Sequence, residues 1–184
     1  MKTISTLLLF VIFSISVQSQ QSVIEAPEGY SNDIGNMISM LDNLKLRVER
    51  IVAGLSQEQT DFLLDKDANR IGAIIYHLAA TEAYYQAYTF EKRGFNKEER
   101  EKWDVALNLG AKARSELKGK PISYYLEIYN EVRKKTKELL KTKDDKWFSK
   151  KVRSMSNHWA WFHVMEHQAN HMGQLALITK RLPK

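Results

Sequence analysis

Three histidines stand four residues apart near the C-terminus: His163, His167 and His171, within the run WFHVMEHQANHMGQ at residues 161–174. Residues four apart share one face of an α-helix, so at least two of these imidazoles can point at a common ion. Such an i, i+4 pair is a rigid way to present two metal ligands. On a wheel of about 100° per residue, His167 and His171 are about 40° apart, and His163 lies about 40° to the other side of His167. Gln174 almost overlies His167. A fourth histidine, His77, lies far upstream in a helical segment, among Ile74, Ile75, Leu78 and Ala79. Alone on an apolar face it would need a hydrogen bond or stay neutral at some cost. Paired with a second helix that offers histidines at ligand spacing, it points to a metal site within a helical bundle.

Two peptidase readings of the run fail. His167 and His171 have the spacing of a zincin helix, but Gln168 stands where the glutamate base is needed. His163, Glu166 and His167 match the inverted H-x-x-E-H form. That form needs a further ligand well downstream, and the sequence stops at Lys184.

The elements that must position these residues are helical. Apolar residues at 34, 37, 38, 41, 44, 48, 51, 52 and 55 follow three-and-four spacing and predict a first helix, with Ser31 or Asn32 as its cap and Gly54 at its stop. A second is predicted over residues 69–93, ending at Gly94, and a short extra helix over 97–106. Gly110, Gly119 and Pro121 punctuate the chain before a third long helix that opens at Pro121 and carries Tyr125, Tyr129, Val132 and Leu140. A polar connection over 141–155 holds the one hint of extended structure, at 147–152. The last helix is predicted over 156–180. No period-two pattern or internal repeat occurs. The expected fold is therefore all-α: a four-helix bundle with a long crossover connection.

Lys2, the apolar run from Leu7 to Val17 and the small and polar residues that follow read as a secretory signal over residues 1–20. A single bundle domain is then expected over 21–184, exported to a periplasmic or extracellular space, with the net charge falling from +6 to +5 as Lys2 is lost. The competing reading of the run is an uncleaved anchor. No later stretch approaches the length of a bilayer span. Cysteine is absent, which removes disulfides and a thiol nucleophile. The basic stretch from Arg133 to Arg153 lacks a reading motif for nucleic acid and is expected to be a solvated helix face and loop, with no nucleic-acid partner.

His77-Leu78-Ala79-Ala80-Thr81-Glu82-Ala83-Tyr84-Tyr85, paired with the run from His163 to Gln174, resembles the DinB/YfiT-like superfamily of metal-dependent enzymes. The resemblance covers essentially the whole mature chain. It implies a four-helix bundle, often dimeric, with a three-histidine site: one ligand from the second helix and two from an H-x-x-x-H near the C-terminus. By position, His77, His167 and His171 inherit the ligand roles. His163 matches a histidine often seen one turn earlier and is the candidate catalytic or pocket-lining group. Met172 stands where the family commonly has arginine. The ion is expected to be divalent, zinc or nickel first, then iron or manganese. Three neutral imidazoles leave such an ion its charge and open positions, so it can acidify a bound water or thiol. The resemblance implies a hydrolase or transferase acting on a small molecule. The export signal favours water over a cytosolic thiol. The alternative is a non-enzymatic metal-binding bundle. Glu82, about 140° round the helix from His77, is expected to make an interhelical hydrogen bond and leave the ion alone. Tyr84 is expected to line the pocket or sit in the core.

Overall fold

The computed structural model describes residues 23–183, so the expected signal segment at 1–20 lies outside the described residues. The chain is an all-α bundle. Helix α1 spans Asn32–Val52, α2 Gln57–Thr60, α3 Ile71–Gln86, α4 Lys97–Asn108, α5 Gly110–Glu116, α6 Ile122–Lys141, α7 Asp145–Ser149 and α8 Asn157–Thr179. The four long helices close a ring: α1 packs on α8, α8 on α3, α3 on α6, and α6 back on α1. No helix among the described residues is long and apolar enough to cross a membrane.

Helix boundaries follow local chemistry, with three departures from expectation. Ser31 is the N-cap residue of α1, yet its side chain makes no cap bond. Its hydroxyl donates instead to Asp145 Oδ1 at 2.6 Å, and the amides of Asp33 and Ile34 donate to that same oxygen at 3.1 and 3.3 Å. A carboxylate from α7 thus satisfies the free amides and the positive end of α1. Second, α3 does not run evenly to Gly94. It loosens into a π-helical turn, Ala87–Glu91, and stops at Lys92 with φ 57°. Third, residues 147–152 are divided: α7 takes the first part, and an antiparallel hairpin of β1 (Lys151–Val152) with β2 (Met155–Ser156) takes the rest. Helices α2 and α5 were not anticipated.

Each long helix carries two apolar segments with polar residues between them. One apolar cluster holds Val48 and Val52 of α1, Ile71 to Ala83 of α3, Tyr125 to Val132 of α6, and Leu175 and Ile178 of α8. The other holds Ile34 to Leu41 of α1, Leu140, Phe148, Trp161 and Val164. Between them lies a buried polar layer. Arg133 donates to both oxygens of Glu82 at 2.8 Å, to Gln168 Oε1 at 3.1 Å and to Asp42 Oδ1 at 3.2 Å. Thr136 donates to Glu82 at 2.6 Å, and Gln86 donates to Thr136 Oγ1 at 2.8 Å. All four long helices contribute. Glu82 makes the interhelical bond expected of it. Arg133 departs from the solvated basic face: it is 3% exposed.

Where α3 meets α6, Gly72 lies flat against the ring of buried Tyr125. A Cβ at position 72 would come 2.4 Å from Tyr125 Cε2. Gly72→Ala is therefore expected to lower stability by about 1–3 kcal/mol through overpacking, despite alanine's better helix propensity. Urea denaturation checks this, and an unchanged or raised midpoint contradicts it.

Candidate metal centre

Helices α3 and α8 meet side by side, which brings His77 of one against His167 and His171 of the other. One ring nitrogen from each lies within 4.8 Å of the other two. His167 Nε2 is central, 2.9 Å from His77 Nε2 and 3.1 Å from His171 Nε2. His77 is buried and the other two are half-buried. The burial of α3 on nearly every side places His77 deep, while α8 presents its pair at the edge of the bundle.

The outer nitrogens fix the tautomers. His77 Nδ1 lies 2.9 Å from the Ala106 carbonyl, which only accepts, so Nδ1 carries the proton and Nε2 turns a lone pair inward. His171 Nδ1 lies 2.9 Å from Gln174 Oε1 and is settled the same way. Two lone pairs therefore face His167 Nε2, which can answer at most one of them with a proton. At least one contact sets lone pair against lone pair unless a cation sits between. The two contacts through His167 suit one: with metal–nitrogen bonds of about 2.0–2.1 Å, ligand nitrogens stand about 3.0 Å apart at right angles and about 3.4 Å apart in a tetrahedron. The carbonyl of α4 and the amide of Gln174 then serve as the outer partners that orient metal-bound histidines. The residues fit a divalent ion.

Charge supports the fit. Burial, then repulsion from His171, lowers the pKa of His77 to about 4. Burial together with the neighbouring imidazoles lowers that of His167 to about 3. Burial lowers His171 as well, with Gln174 pulling the other way. All three stay neutral at pH 7 with lone pairs available, against an ordinary value of 6.5. The sign for stability follows. Between pH 6.5 and about 4 the unfolded chain takes up protons that the folded one refuses, so acidification favours unfolding. Metal-stripped protein is expected to lose stability as pH falls through that window, and His167→Ala is expected to lose less. Denaturant titrations at pH 7.5, 5.5 and 4.5 measure it. Equal slopes for the two proteins contradict it.

His163 stands apart from the trio. Its ring is 6.0 Å from that of His167, stacked at 5.3 Å and 6° on half-exposed Trp159, with Nδ1 3.4 Å from Glu166 Oε2. Tyr84 packs edge-on against Phe95 and Tyr85 and belongs to the apolar core. Met172 also packs against that core, so no polar side chain replaces the family's arginine. The remaining histidine, His158, stacks on Phe148. The sequence reading missed Ala106, because a backbone carbonyl on a neighbouring helix leaves no trace in residue types. It placed Gln174 on the site face, where the structure gives it a specific hydrogen bond.

No curated protein matches the chain. The model of the mycothiol-S-transferase family matches residues 36–182, from the second turn of α1 to just beyond α8. That span holds all three clustered histidines, so the chain belongs to the mycothiol-S-transferase family, within the DinB/YfiT-like superfamily.

Proposed function

We propose that the protein is a metal-dependent transferase in which His77, His167 and His171 hold one divalent ion and a small thiol is the nucleophile. The observation that carries this reading is the convergence of three imidazole nitrogens, two with their protons committed outward to Ala106 and Gln174. The family's name is that of transferases working at the sulfur of mycothiol, which puts transfer ahead of hydrolysis. A divalent ion on three neutral imidazoles keeps its charge and open positions, and when bound it lowers the pKa of a coordinated thiol or water. Zinc or nickel suits this ligand set best.

The chain's own residues supply the rest. His77 is held deep by the Ala106 carbonyl and sets the floor of the site. His171, half-buried at the edge of the bundle and held by Gln174, would be the ligand nearest an entering small substrate. His163 is the proton acceptor: its Nδ1 faces Glu166, its ring is clamped by Trp159, and its Nε2 is left to take a proton. The apolar segment at residues 7–17 favours a second reading, an exported enzyme whose nucleophile is water. The rival without catalysis is a bundle that only holds metal.

The test is a screen of zinc- or nickel-loaded protein for transfer of a thiol onto an activated electrophile, beside ester and amide hydrolysis. Wild type is expected to transfer the thiol, His171→Ala to fall to the uncatalysed rate, and His163→Ala to lose rate while keeping its metal. Ester or amide cleavage without thiol transfer would select the water reading. Metal at one ion per chain with no rate above background would leave the metal-holding bundle.

A further inference from the structure

Away from the histidines, which lie between α3 and α8, a groove of about 540 Å³ opens between α1 and α6. That volume lies within the range of small-molecule pockets, about 300–1,000 Å³. Five cationic side chains line it, Lys45, Arg133, Lys134, Lys137 and Lys141, beside Asp42 and Glu138; Lys45 is paired with Glu49 and Arg133 with Glu82, so the uncompensated charge comes from the lysines of α6. Lys134, Lys137 and Lys141 follow three-and-four spacing on one face of α6, so they repel one another along the helix. A bound anion relieves that repulsion.

The groove already shows how it grips an oxyanion. Asp42 receives Arg133 Nη1 on one oxygen at 3.2 Å and Lys137 Nζ on the other at 2.6 Å. Arg133 cannot swing away, because its other nitrogens are fixed on Glu82 and Gln168 inside the bundle. Its guanidinium instead fixes Asp42 at the groove's inner wall. Lys134 and Lys141 make no ion pair among the described residues, and Lys141 reaches over the Tyr30 ring at 6.0 Å. One internal carboxylate thus meets two cations while two more stand free beside it.

We propose that this groove binds a small multivalent oxyanion, a molecule bearing phosphate groups or several carboxylates, at a site separate from the metal centre. Lys137 holds the inner end beside Asp42, which Arg133 keeps in place, and Lys134 and Lys141 close on the outer charges.

Calorimetric titration of metal-stripped protein with sodium pyrophosphate at low salt tests it. Saturable one-to-one binding is expected, weakened at least tenfold in Lys134→Ala/Lys141→Ala and unchanged in His171→Ala. Both lysines are exposed, so the double variant keeps its fold. Capture of the chain on phosphatidylglycerol vesicles, reversed by pyrophosphate, would identify the anion as a lipid headgroup, and no capture would identify it as a free solute. Equal affinity in the double variant, loss of binding in His171→Ala, or no saturable binding overturns the proposal.

Discussion

Arg133→Met is expected to lower the stability of the chain by about 3–5 kcal/mol, the cost of removing one partner from a buried ion pair. Methionine approximates the stem of arginine, so the loss measures charge and hydrogen bonds more than volume. Glu82, 1% exposed, would keep Thr136 as a donor but lose both guanidinium bonds. Gln168 would lose its donor at the same time, one residue from His167. The double variant Arg133→Met/Glu82→Leu is expected to recover most of the loss, because removing both partners leaves no orphaned charge. Urea denaturation of the three proteins decides. A loss under about 1 kcal/mol in Arg133→Met would mean that the polar layer does not join the two apolar clusters as described.

His167→Ala is expected to weaken metal binding about 10²-fold or more while the bundle stays folded. Dividing the roughly 10–16 kcal/mol of a structural zinc site among four ligands gives about 3 kcal/mol for each. His167 is the one whose Nε2 faces both others. Its removal leaves His77 and His171 on different helices with no shared neighbour nitrogen. The fold survives because α8 stays anchored in the bundle by Val164, Gln168 and Leu175, all buried. His163→Ala is expected to change affinity far less, since that ring lies outside the cluster. Competition with a chromophoric chelator measures all three proteins. Equal losses in His163→Ala and His167→Ala would make His163 a ligand.

The helices were legible because three-and-four spacing survives in α1 and α6, each with one wet face, and the H-x-x-x-H register follows directly from helix geometry. The pairing of His77 with α8 was legible from a lone histidine on an apolar face and a histidine pair at ligand spacing elsewhere, and family resemblance sharpened it; wheels alone say which face a residue takes and nothing about which helix it meets. Arg133 was misread for a related reason. It sits among Lys134, Lys135 and Lys137, and its burial depends on Glu82, fifty-one residues away. Composition marks both as surface residues, and only the packing of α3 on α6 turns them inward together. Asp145 shows the same limit at a helix end: the cap of α1 comes from α7 and leaves no local signature. The loosened turn at Ala87–Glu91 also lacks one, because no proline or glycine marks it.

X-ray absorption of the chain purified without chelator and loaded with zinc measures the central feature most directly. The structure predicts one ion per chain with three imidazole nitrogens at about 2.0–2.1 Å, falling to two in His77→Ala. No bound ion under any loading condition, or a first shell unchanged in His77→Ala, would contradict a centre built from α3 and α8.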